Sequence, residues 1–153
     1  VVALRFIEDC FPLIVTVGPK RWDPGAIEQL TQGFERYFQR GARYATLFAS
    51  PKDADPVGAK ERKLIVDYAN NPRVTEFSRK LCIASAVVIE NTLMRGTLTA
   101  IQWFWTPPTP LKAVANVEAG IDYCLDEIEK AKLPLPRSRA AIRLELLKLL
   151  DVS

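Results

Sequence analysis

The sequence predicts one α/β domain built on a mixed five-stranded sheet, with elements in the order ββαβα(α)βαβα and a further helix at the C-terminus. Apolar periodicity switches repeatedly between two and three to four along the chain, the mark of strands alternating with helices rather than of a bundle or a sandwich. Length agrees, because 153 residues make one core that buries most of the unfolded surface and leave little for a second. Composition agrees as well: 48% apolar and 25% charged residues are those of a globular protein, with no apolar run long enough to cross a bilayer.

Val2, Leu4 and Phe6 alternate with Ala3 and Arg5, and Leu13, Val15 and Val17 alternate with Ile14 and Thr16, which predicts two strands around a turn at Asp9 and Cys10. Asp23-Pro24 offers a cap and a preset first helical residue. Ile27, Leu30, Phe34 and Phe38 then recur on one face until Gly41, so a first amphipathic helix spans this stretch. Tyr44 to Ser50 is short and apolar and reads as a central strand buried on both faces. The next helix is expected to open at Asp55-Pro56, with Val57, Glu61, Leu64, Ile65 and Tyr68 on neighbouring positions and Lys60, Arg62 and Lys63 turned mostly outward. Asn71-Pro72 repeats the start signal before Val74, Phe77 and Leu81, so two consecutive helices or one helix broken at the proline both fit.

Ile83 to Glu90 is a second buried-type strand. Asn91 caps a helix marked by Met94, Leu98, Ile101 and Trp105, which Pro107, Pro108 and Pro110 must stop. Leu111 to Val117 reads as the fifth strand, and Val117, Ile121, Cys124, Leu125 and Ile128 as a last core-facing helix capped by Asn116. The domain is thus expected over residues 1–131. Residues 132–137, with Pro134 and Pro136, read as a linker to a separate amphipathic helix over 138–153.

A net charge of +3 from 21 basic and 18 acidic residues is too small to point to nucleic acid, which requires basic groups gathered on one face. Cys10, Cys82 and Cys124 form no C-x-x-C pair, and the chain has no histidine. They read as reduced structural thiols, which suits the cytoplasm. The chain opens at Val1 rather than methionine, so the expectation is that something upstream was removed or left out.

Without histidine the usual base of a catalytic triad is missing, and Gly18-Pro19-Lys20 lacks the spaced glycines of a phosphate loop. No enzymatic activity and no cofactor are expected. Asp122, Asp126 and Glu129 share a helix face, but oxygen-ligand metal sites draw on loop carbonyls or a second element, so they read as a solvated surface and no metal is assigned. Trp103-Phe104-Trp105 before Thr106-Pro107-Pro108 is the most unusual segment, since three successive aromatics on a helix must aim at least one away from its buried stripe. Such a residue suits contact with a ligand or partner, unless the proline-rich loop folds back over it. Gly96 in the same helix is expected to serve close packing.

The strand pair, the alternation that follows and the Asn116-Val117-Glu118-Ala119 helix start together resemble the STAS domain in its SpoIIAA-like form, over roughly residues 1–130. The points of resemblance are Arg43-Tyr44 before the central strand, Arg62, Leu93-Met94-Arg95-Gly96, and Trp103 before Pro107-Pro108. They are similar to patterns in bacterial SpoIIAA-like proteins. That resemblance implies a STAS-like fold, related in architecture to Sec14-type lipid carriers, and action by binding other proteins. Family members that antagonise anti-sigma factors carry a phosphorylated serine in an Asp-Ser-Ser-Gly-like stretch. This chain has Ala49-Ser50-Pro51-Lys52-Asp53 there, so the fold is carried over and the phosphoswitch is not.

The expected function is therefore a non-catalytic regulatory or scaffolding domain that binds a protein partner. The alternative is an apolar small-molecule or lipid-binding module. Ser50, Lys52, Asp53, Arg62, Arg95, Trp103 and Trp105 are the candidate partner- or ligand-binding residues. The tail stripe of Ile142, Leu146, Leu149 and Leu150, widened by Leu144 and Leu147, predicts docking across a second copy or back over the same domain, with a homodimer as the expected outcome. Membrane attachment through Arg137, Arg139, Arg143 and Lys148 is the weaker rival, because Glu145 and Asp151 dilute their charge.

Overall fold

Five side chains set where helices begin. Asp23 accepts a hydrogen bond from the N–H of Ala26, Asn71 from Arg73, Asn91 from Met94, Asn116 from Ala119 and Ser138 from Ala141, each satisfying an otherwise orphaned donor. In the computed structural model, which describes residues 4–151, these caps open α1 (Pro24–Arg40), α3 (Pro72–Leu81), α4 (Thr92–Gln102), α5 (Val117–Lys130) and α6 (Arg139–Leu149). Gly41, at φ 69°, ends α1 in the left-handed region and donates to Tyr37 O.

The remaining helix departs from expectation. α2 (Ala59–Ala69) starts after Gly58 rather than at Asp55-Pro56, because Asp55 is already engaged elsewhere. Its carboxylate takes a hydrogen bond from Arg21 Nε at 3.2 Å, and its N–H donates to Lys20 O at 2.8 Å. The segment before α2 is thereby tied to the loop after the second strand. α2 and α3 are two helices, separated at Asn70 and Asn71.

The strands are β1 (Arg5–Ile7), β2 (Leu13–Val17), β3 (Tyr44–Ala49), β4 (Cys82–Val88) and β5 (Leu111–Val114), lying in the order β1-β2-β3-β4-β5. β1 and β2 are antiparallel and the other pairs are parallel, so the sheet is mixed with β3 at its centre. β5 is shorter than expected, since Asn116 caps α5 at once. Val2 and Ala3, read into the first strand, lie outside the described residues, as do the last two residues of the tail.

One face of the sheet is packed solid. Leu13, Val15, Leu47, Ala86 and Val88 meet Ile121, Cys124, Leu125 and Ile128 of α5 in the main core. Gly120 permits this approach: a Cβ there would lie 2.5 Å from Leu47 Cδ1 and 3.3 Å from Val114 Cγ2.

α6 folds back over this same domain, and its Ile142 and Leu146 are fully buried in that core. Leu133 and Leu135 pack there too, so the expected linker is a packed connection. Asp122, Asp126 and Glu129 turn towards α6: Arg139 reaches Asp126 at 2.7 Å and Glu129 at 3.3 Å, and Arg143 reaches Asp122 at 3.1 Å. Leu144 and Leu149 stay exposed on the far side of α6.

The other face is covered unevenly. α1 and α3 close over Ile14, Tyr44 and Cys82 with Tyr37, Phe38, Val74 and Leu81. Glu35 of α1 ties this side together, accepting from Tyr68 Oη of α2 and from Arg73 Nη2 of α3, both at 2.6 Å. Burial pushes the Glu35 carboxyl up, but these two bonds outweigh it and hold the group below its ordinary value. α4 is different, for none of its residues is buried. Among the described residues no helix is long and apolar enough to cross a membrane.

Candidate ligand-binding site

α4 stands off the sheet because a cavity of about 290 Å³ lies beneath it. The helix stripe anticipated from sequence, with Met94, Leu98 and Ile101, faces this space rather than a packed core, which is why an amphipathic helix here carries no buried residue. β3 and β4 form the floor with Thr46, Phe48, Ser85 and Val87. α1 and α2 add Leu30, Phe34, Ile65 and Tyr68. Trp22 stacks on Phe48 with ring centroids 6.1 Å apart and extends the wall. Asn70 Nδ2 donates to Phe104 O at 2.9 Å and fastens the end of α4 to the end of α2.

The lining is mostly hydrocarbon and aromatic. Asp55 is its only charged member, and Asp55 is paired with Arg21. Burial pushes the phenols of Tyr44 and Tyr68 and the thiol of Cys82 well up, so all three stay protonated at neutral pH. The Cys124 thiol, on the opposite face, is pushed up to about 12 by burial. A chamber walled by hydrocarbon and aromatic groups with a few hydroxyls can hold and orient an apolar molecule.

The sequence-derived candidates divide between the chamber and the surface. Ser50 and Trp105 line the cavity, with Trp105 turned in beside Pro107 and Pro108. Trp103 and Phe104 point out, 74% and 70% exposed, so the proline-rich loop shelters one of the three aromatics and leaves two in solvent. Arg62 Nη1 donates to Val57 O at 2.7 Å and holds the loop before its own helix. Lys52 is exposed, and Asp53 is exposed beside Lys20, whose ammonium at 3.1 Å holds that carboxyl below its ordinary value. Arg95 lies on the exposed side of α4.

Gly96 contradicts its expected packing role: nothing lies within 4 Å of where its Cβ would stand, since α4 has no close neighbour there. Thr46, Phe48 and Ser85 were missed as site residues. Thr46 and Ser85 carried a signal as polar residues inside strands that otherwise read as buried on both faces, whereas Phe48 carried none.

Comparison with family models, with curated proteins and with solved structures finds no match to this chain.

Proposed function

We propose that this protein is a non-catalytic binding module that holds a small apolar ligand in the chamber between α4 and the sheet. The chamber itself carries this reading. Its walls are mostly hydrocarbon and aromatic, with a few polar groups such as Thr46 and Ser85 on the floor, which is the make-up of a pocket for a small apolar molecule. The volume suits about 10–15 non-hydrogen atoms at liquid-like packing.

Native mass spectrometry of gently purified protein tests the proposal. The expected spectrum shows a bound mass of about 140–210 daltons, that of about 10–15 non-hydrogen atoms, which organic extraction removes. Protein that stays empty and takes up no apolar probe overturns it.

A scaffolding role, of the kind the STAS resemblance implies, has one observation on its side. Leu93, Trp103 and Phe104 are 59%, 74% and 70% exposed on and just after α4, more apolar surface than a short helix normally leaves in water. If a protein partner docks there, Trp103→Ala and Phe104→Ala abolish a stoichiometric complex while leaving uptake into the chamber unchanged. A complex indifferent to both substitutions refutes this role for the patch.

A further inference from the structure

Deepening the ligand-binding reading on which it rests, we infer that the chamber selects an uncharged ligand ending in one hydroxyl group, which docks on Thr46 and Ser85. The backbone supplies the reason. Residues three apart on a regular strand face opposite sides of a sheet, so Cys82 and Ser85 would ordinarily be separated by it. Here the pairing of β3 with β4 shifts register: Tyr44 lies opposite Cys82, but Ala45 lies opposite Ala84. Ile83 is the extra residue and packs with the opposite core. Cys82 and Ser85 therefore both face the chamber, with Sγ and Oγ 3.4 Å apart. Thr46, directly across from Ser85 in the register, donates to Ser85 Oγ at 3.3 Å.

Hydrogen-bond accounting identifies what this group of side chains lacks. The Thr46 hydroxyl donates to Ser85, and the Cys82 thiol, 3.5 Å from Ala84 O, also meets the Ser85 and Thr109 hydroxyls. Among the described residues Thr46 Oγ1 accepts from no donor, and the Ser85 hydrogen is free to turn between Cys82 and the cavity. One open acceptor beside one rotatable donor complements a hydroxyl, which is both. A ketone or ether uses only the donor. At this pair a carboxylate also finds only that donor, and it brings a second negative charge into a chamber that Asp55 already lines. Leu30, Phe34, Ile65, Met94 and Leu98 of the lining take a hydrocarbon body.

Three probes of equal chain length test this: n-decanol, decanoate at pH 8 and n-decane, titrated against the intact chain while following tryptophan fluorescence, since Trp22 and Trp105 line the chamber. Decanol is expected to bind about tenfold tighter than decane, the value of one or two net hydrogen bonds, and tighter still than decanoate. Thr46→Val and Ser85→Ala are each expected to reduce the preference for decanol over decane severalfold, with unchanged circular dichroism spectra showing that the variants fold. If decane and decanol bind equally, if decanoate binds best, or if both variants keep the full preference, the hydroxyl assignment is overturned while the apolar-ligand reading stands. If none of the three binds, that reading falls and the assignment falls with it.

Discussion

One chemical change, glycine to alanine inside a helix, should have opposite signs at two places in this fold. At Gly96 of α4 the new methyl meets nothing within 4 Å, so only the backbone effect remains. Replacing a helical glycine by alanine contributes about 0.5–1 kcal/mol. At Gly120 of α5 the same contribution is available, but the methyl falls 2.5 Å from Leu47 Cδ1 and 3.3 Å from Val114 Cγ2. Leu47 is fully buried at the centre of the sheet, packed in the core with Ile121, Cys124 and Leu125. Overpacking of this kind costs about 1–3 kcal/mol. Gly96→Ala is therefore expected to gain up to about 1 kcal/mol and Gly120→Ala to lose about 1 kcal/mol or more. At about 2–4 °C per kcal/mol for a chain of this length, the two melting temperatures should differ by about 4–8 °C. Thermal unfolding followed by circular dichroism, with both variants run beside the parent chain, measures the gap. Equal shifts, or a more stable Gly120→Ala, would refute the claim that α5 presses on the sheet while α4 stands clear of it.

Other consequences follow from single contacts. Leu146 is fully buried between α6 and the main core, so Leu146→Ala should cost about 2–5 kcal/mol in urea unfolding; a loss below 1 kcal/mol would mean that α6 does not belong to the core. Tyr37 Oη is buried without a hydrogen-bond partner among the described residues, although the Thr16 hydroxyl lies near it. Tyr37→Phe should therefore leave stability unchanged or raise it by up to about 1 kcal/mol, and a clear loss in the same urea assay would reveal a partner. Glu35 has its carboxyl held below the ordinary 4.5, so its clasp on Tyr68 and Arg73 is fully present above that pH and is lost as pH falls through the lower folded value. Acid titration should loosen α2 and α3 in amide exchange before the α5 face opens, and Glu35→Gln should abolish that early step; simultaneous loosening of both faces would contradict it.

Element types and their order were legible in the sequence because they rest on local chemistry. The period of the apolar residues and the caps at Asp23, Asn71, Asn91, Asn116 and Ser138 act within a few residues of themselves. Trp105 was named from the aromatic run as part of the helix, but α4 ends at Gln102 and Trp103, Phe104 and Trp105 follow it, with Trp105 turning back into the chamber. The later start of α2 was not legible, because Asp55 is drawn away by Arg21 and Lys20, more than thirty residues earlier. Nor was the polar floor of the chamber: a one-residue slip in the pairing of β3 and β4 puts Cys82 on the same side as Ser85, and register belongs to two strands at once. The same limit applied to the helix stripes. Leu98 in α4 and Ile121 in α5 carry the same local signal, yet Ile121 is fully buried and Leu98 looks into open space. Periodicity says which way a side chain turns on its own helix, and only the distance between that helix and the sheet decides whether it meets packed atoms or a cavity.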